Sequence, residues 1–263
     1  MTIAQHTDAQ TIDRGTGARG VVVTGAARGL GLGIAECLAA AGHAVVGVDL
    51  LPEVEAAMDG LGSGHRAVVG DVTDGVVIGA ACERAAQLGD GLGAVVFNAG
   101  VTAPGDTVDY PVADWDRVVG VNLRGVFLGA QAARPHLVPG GSMVMISSIA
   151  AAQGFAARAS YCASKAGVEG LVRSLAMEWG PAGIRVNAVA PGTIETEMQR
   201  RMVEAGRLST DAALERVPLG RIGRAHDIGN AVRFLVSPLA DYVTGVVLPV
   251  DGGWAGGGMP ATA

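Results

Sequence analysis

Val21-Val-Val-Thr-Gly25-Ala-Ala-Arg-Gly29-Leu-Gly31 decides how the rest of the chain is read. Three consecutive valines read as a strand buried on both faces. The glycines that follow allow a tight turn and a close backbone approach to a ligand. A helix starting at once would point its unpaired N–H groups and partial positive charge at an anion such as a pyrophosphate. Gly25, Arg28, Gly29, Leu30 and Gly31 are therefore expected to line a dinucleotide site. The spacing is Gly-x3-Gly-x-Gly, not the Gly-x-Gly-x2-Gly fingerprint. In a chain with 41 glycines three can align by chance. Position carries more weight: the motif closes the first strand.

Working outward, short apolar runs recur at 21–24, 44–48, 67–69, 94–97, 143–146, 185–190 and 246–250. Between them, 30–41, 76–88, 114–137, 160–179 and 227–235 read as helices. This alternation predicts an α/β fold, a Rossmann-type doubly wound sheet of about seven parallel strands with right-handed crossovers. Residues 1–18 read as a disordered leader, and 19–263 as one nucleotide-binding domain. Residues 196–226, charged and carrying Met198, Met202 and Leu208, fit no strand–helix unit and are expected to form a lid over a substrate pocket.

The second run ends at Asp49, 18 residues after Gly31, near the spacing expected of a carboxylate on the adenosine ribose. Leu50 is placed in the same contact. A carboxylate there repels the 2′-phosphate of NADP, so NAD is favoured, although Arg28 could pair with that phosphate. Asp71-Val72 could reach the adenine edge, while Asp71 or Asp74 could equally cap the next helix. Asn98-Ala99-Gly100 follows the fourth strand, at the edge where open α/β sheets bind ligands. Asn98 could serve the nucleotide or simply tie strands together.

Tyr161-Cys-Ala-Ser-Lys165 is the strongest chemical signal. Residues i and i+4 share a helix face, so phenol and ammonium can enter one site. A nearby cation favours phenolate and makes the tyrosine usable as an acid or base. Of the 19 basic residues 18 are Arg, and Lys165 is the exception; a compact ammonium does what a planar guanidinium cannot. Ser147-Ser148 closes the fifth strand, where a hydroxyl could bond a carbonyl oxygen or alkoxide. Asn122 is polar within an apolar helical stretch, fitting either a site role or a satisfied core amide.

Bulk properties narrow the function classes. A net charge of −6 argues against nucleic acid as a partner. Cys37, Cys82 and Cys162 are odd in number, and no secretory segment is recognised, so reduced thiols in a cytoplasmic protein are expected. No apolar stretch is long enough for a membrane span. No ligand cluster has metal spacing, and no Gly-x-Ser-x-Gly elbow supports hydrolysis.

Together these elements resemble the short-chain dehydrogenase/reductase family over residues 19–254. The resemblance implies that Tyr161 exchanges a proton with the substrate oxygen, with Ser148, 13 residues earlier, polarising it. Lys165 would lower the Tyr161 pKa and bind the nicotinamide ribose, and Asn122 would hold a water leading from Lys165 to solvent. Pro191-Gly192-Thr-Ile194-Glu-Thr196 resembles the loop that holds the nicotinamide amide, with contacts from the Ile194 backbone and Thr196. It further implies hydride transfer between the nicotinamide and a secondary alcohol or ketone, and a homotetramer to which the apolar run 246–254 contributes. One rival is an NADPH-dependent 3-oxoacyl-carrier-protein reductase, which Ile194-Glu-Thr-Glu-Met198 resembles. Asp49 and the lack of Lys or Arg at the expected docking segments oppose it. Another is a non-catalytic cofactor-binding regulator. Ala150, Gln153, Phe155 and residues 193–210 are expected to line a modest, partly apolar substrate pocket.

Overall fold

A computed structural model describes residues 19–206 and 209–257; the leader and Leu208 lie outside the described residues. Its strands are β1 (Gly20–Thr24), β2 (Ala44–Asp49), β3 (Arg66–Val69), β4 (Leu92–Phe97), β5 (Leu137–Ile146), β6 (Arg185–Pro191) and β7 (Val247–Val250). All pair in parallel in the order β3-β2-β1-β4-β5-β6-β7. The order reverses between β1 and β4, and their carboxyl ends flank the crevice where such sheets take ligands.

The helices are α1 (Gly29–Ala40), α2 (Val54–Leu61), α3 (Gly75–Leu88), α4 (Val112–Val119), α5 (Val126–Ala133), α6 (Ala159–Trp179), α7 (Glu197–Glu204), α8 (Thr210–Leu214) and α9 (Ala225–Val236). Alternate strand residues feed opposite faces. Val22, Val46 and Met143 pack with Ile78, Ala130 and Val172 of α3, α5 and α6. Val21, Val23 and Val45 pack with Ile34, Met58 and Val232 of α1, α2 and α9. Burial on both faces explains why these strands are unbroken runs of Val and Ala.

Three differences from the sequence reading have local causes. The single helix expected over 114–137 is α4 and α5 joined by a π-helical turn, Gly120–Gly125. Strand β5 begins before its apolar run, because Leu137 pairs with Leu92 ahead of a register shift. The segment 196–226 carries the short helices α7 and α8, capped by Thr196 and Ser209.

Candidate active site

At the nucleotide edge, backbone geometry dictates residue choice. A Cβ on Gly31 would lie 1.9 Å from the Gly25 carbonyl oxygen and 2.6 Å from Asn98 Nδ2, so no side chain fits there. Gly29 meets no protein atom within 4 Å but has φ +59°, a conformation that favours glycine. Helix α1 starts without a side-chain cap and without an acidic residue in its first turn. Its N-terminal N–H groups thus fit an anion, as a dinucleotide pyrophosphate requires. Leu30 packs against the core on the α1 side of the sheet.

Asp49 ends β2 with both carboxylate oxygens engaged. Oδ2 accepts from Ala27 N–H at 3.0 Å and Oδ1 from Leu51 N–H at 3.1 Å. The carboxylate is thereby fixed against the glycine loop, with Leu50 beside it 67% exposed. Arg28 reaches the other way, forming a 2.6 Å ion pair with Glu197 of α7.

Asn98 is a strand tie. Its Nδ2 donates to the carbonyls of Thr24 (3.0 Å) and Gly25 (3.3 Å), while Thr24 Oγ1 accepts from the Asn98 and Ala99 N–H groups. This settles its side chain in favour of the β1–β4 link. Asp74 caps α3 by accepting from Val76 N–H. Asp71 instead closes a turn, its Oδ1 accepting from Thr73 N–H and Oγ1–H, and Val72 packs against the α3 side of the core.

The chemical groups converge where β4, β5 and α6 meet. Lys165 is buried and its Nζ donates to the Ile146 carbonyl at 2.7 Å, 5.8 Å from the centre of the Tyr161 ring. A Cβ on Gly100 would lie 3.7 Å from that Nζ, which places the Asn98-Ala-Gly motif beside the ammonium. Burial lowers the Lys165 pKa to about 8. Tyr161 is raised, contrary to the depressed phenol expected from the sequence. Burial is the main cause, opposed by hydrogen bonding to Ser148 and then by the charge of Arg158. The ammonium is turned to a backbone carbonyl, so Lys165 is not what opposes burial.

Ser147 and Ser148 separate cleanly. Ser147 Oγ donates to Glu169 Oε1 at 2.9 Å and is turned toward α6. Ser148 Oγ accepts from Ala150 N–H at 3.1 Å, which leaves its O–H free to donate beside Tyr161. Asn122 lies in the π-helical turn with its amide satisfied: Oδ1 accepts from Val101 N–H, and Nδ2 donates to Val101 O and Ser164 Oγ. Its side chain is a clamp, so a water there would have to be taken by its main-chain carbonyl. Ser164, overlooked in the sequence, completes that clamp and has no spacing signal of its own.

Pro191 ends β6, and a Cβ on Gly192 would lie 2.8 Å from Asp251. Ile194 bridges Gly223, and Thr196 accepts from Gln199 N–H to start α7. The loop therefore hands the chain from the sheet edge directly to the helices expected as a lid. Trp254 is 5% exposed and packs inside this chain. Its indole N–H donates to Gln153 Oε1 at 2.8 Å, and its ring stacks on Phe155 at 6.3 Å.

Among the described residues no group of three or more His, Cys, Asp or Glu could hold a metal, and no helix is long and apolar enough to cross a membrane. A family model described as enoyl-(acyl carrier protein) reductase matches residues 25–255. The cis-4-hydroxycyclohexanecarboxylate dehydrogenase of Sinomonas cyclohexanicum is 40% identical, covering 90% of this chain and 96% of that protein. A 3-oxoacyl-(acyl-carrier-protein) reductase of Thermotoga maritima is 37% identical, covering 88% and 96%. A short-chain type dehydrogenase/reductase of Sinorhizobium fredii is 39% identical over 93% of this chain, which spans 45% of that longer protein. A solved structure from Agrobacterium tumefaciens, described as a 2-deoxy-D-gluconate 3-dehydrogenase with bound NADP, superposes with a TM-score of 0.81 at 38% identity, covering 90% and 96%. This chain belongs to the short-chain dehydrogenase/reductase family and is an oxidoreductase.

Proposed function

We propose that this protein interconverts a secondary alcohol and its ketone with a nicotinamide nucleotide, Tyr161 being the residue that exchanges the proton. The carrying observation is the meeting of the Ser148 hydroxyl, the Tyr161 phenol and the buried Lys165 ammonium at the carboxyl end of β5. A bound nicotinamide supplies or accepts the hydride. In reduction the Tyr161 O–H gives its proton to the carbonyl oxygen, and Ser148 donates a second hydrogen bond to that oxygen. Ser148 keeps its O–H for that bond because its contact with Ala150 is one it accepts. Lys165 serves the nucleotide ribose and keeps positive charge beside the phenol. Asn122, clamped by Val101 and Ser164, fixes the π-helical turn against the site.

Gly25, Arg28, Gly29, Leu30 and Gly31 would cradle the pyrophosphate, with Asp71 and Val72 at the adenine and Asn98, Ala99 and Gly100 beneath the nicotinamide half. Pro191, Gly192, Ile194 and Thr196 would hold the amide. NAD is the cofactor we favour, because Asp49 sets a carboxylate at the end of β2 where a 2′-phosphate would come. NADP is the second reading, supported by the Agrobacterium structure that carries it and by Arg28. The ratio of kcat/KM with NADH to that with NADPH decides between them. For the substrate, a 3-oxoacyl carrier-protein thioester is the second reading, supported by the Thermotoga relative. Exposed Val112, Trp115, Phe127 and Met177 on α4, α5 and α6 support a homotetramer.

Tyr161→Phe tests the proposal. It should lower kcat about 10²- to 10⁴-fold, the usual contribution of a positioned acid or base, while nucleotide binding measured by fluorescence titration holds. Turnover near the parent rate contradicts it.

A further inference from the structure

The rim of the site carries two arginines that the proposed chemistry does not use. Arg158 is the N-cap residue of α6, three residues before Tyr161. Its charge favours the phenolate, after the Ser148 hydrogen bond, against the effect of burial. Arg158 is partly buried, and among the described residues it has no carboxylate within 4.0 Å. Its guanidinium sits 5.7 Å from the centre of the Phe155 ring.

Phe155 stacks on Trp254, and on Trp254 in turn sits the guanidinium of Arg216, 4.7 Å from the ring centre. Arg216, which follows α8, is likewise without an ion pair among the described residues. Three distant segments thus build one feature: two stacked rings with a guanidinium at each. The rings restrict both side chains by cation–π contact without neutralising them. The Trp254–Gln153 hydrogen bond fixes the indole that joins them. Ile149, Ala213 and Val217 close the apolar ground beneath the rings. A planar, charged fork held beside a proton-transferring phenol, over apolar ground, is complementary to a carboxylate carried on a short hydrocarbon frame.

We infer that the substrate is a hydroxy acid or the matching oxo acid, its carboxylate held by Arg158, with Arg216 adding attraction at the entrance. The inference rests on the reading of Tyr161 given above.

The test compares hydroxy acids of four to eight carbons, 4-hydroxycyclohexanecarboxylate among them, each beside its methyl ester, with both NAD⁺ and NADP⁺. The parent enzyme should favour the acids in kcat/KM. Arg158→Gln should reduce the acid-to-ester ratio about 10- to 100-fold, the loss expected of one charge-assisted pair, chiefly through KM. Arg158→Lys should recover part of it, and Arg216→Gln should give a smaller fall. Equal use of acids and esters by the parent overturns the inference, as does oxidation of esters only. An Arg158→Gln variant that slows both classes alike also overturns it, since a merely structural role would do that. Failure of the underlying reading looks different: Tyr161→Phe would retain turnover, or the parent would oxidise neither class.

Discussion

The nucleotide edge and the α7–α8–Trp254 cap touch through the Arg28–Glu197 ion pair but are built on opposite principles. At the nucleotide edge, main-chain atoms dictate residues. Gly31 is forced by the Gly25 carbonyl, Asn98 bonds the carbonyls of Thr24 and Gly25, and Asp49 bonds two backbone N–H groups. At the cap, side chains meet side chains: Arg28 with Glu197, Arg158 on Phe155, Arg216 on Trp254. The first region tolerates little change, because main-chain atoms fill the space a side chain would need. The second can alter its side chains without disturbing the sheet, which is where substrate choice can vary.

That contrast is broken first by Gly31→Ala. A methyl group driven into a backbone carbonyl should cost about 3 kcal/mol or more, a Tm loss of roughly 6–12 °C, and nucleotide binding should go with it. A normal Tm would mean the loop is more pliant than this account allows. Asn98→Ala comes next. It leaves the Thr24 and Gly25 carbonyls without this donor, about 1–3 kcal/mol of stability, measurable by thermal melting.

The cap should answer differently. Glu197→Gln removes the ion pairs with Arg28 and Arg201, among side chains that are 39% to 68% exposed. Its Tm should therefore move by no more than about 1–2 °C. Freed from Glu197, Arg28 becomes available to a 2′-phosphate, so the preference for NADPH over NADH should rise a few-fold in kcat/KM. A large Tm loss without a change in cofactor preference would place this contact among the structural ones.

The pH response sharpens the same comparison. The Tyr161 pKa is raised, so the neutral phenol needed as an acid is present throughout the neutral range. Ketone reduction should then be flat around neutrality. Alcohol oxidation, which needs the phenol deprotonated, should climb with pH on the alkaline side. Initial rates in both directions across pH 6–10 check the sign.

Much of the fold was legible because parallel strands buried on both faces show as plain Val-rich runs; all seven runs are strands. Their order was not legible, since it lies in crossovers rather than in any run. Helix α2, Val-Glu-Ala-Ala-Met-Asp-Gly-Leu, escaped notice because it is short and only Val54 and Met58 are buried. The π-helical turn at Gly120–Gly125 leaves no periodic trace. In the site, Tyr161, Lys165 and the glycine loop carry their spacing along one helix or one turn, whereas Ser148 is separated from Ser147 in the sequence only by the family resemblance. Arg158, Arg216 and Ser164 did not, because each acquires meaning only from partners far away in the chain. Trp254 was read as part of an outward apolar run, and its packing on Phe155 turns it inward.

Lys165→Met offers the most direct test, because one variant reads both chemistry and burial. Folding lowers the Lys165 pKa from 10.5 to about 8. The buried ammonium therefore opposes stability below pH 8, and that opposition fades as pH rises toward 10.5. The account predicts that Lys165→Met loses at least a hundredfold in kcat yet melts no lower than the parent at pH 7, with any advantage in Tm shrinking by pH 10. Ketone reduction at the parent's rate would contradict it.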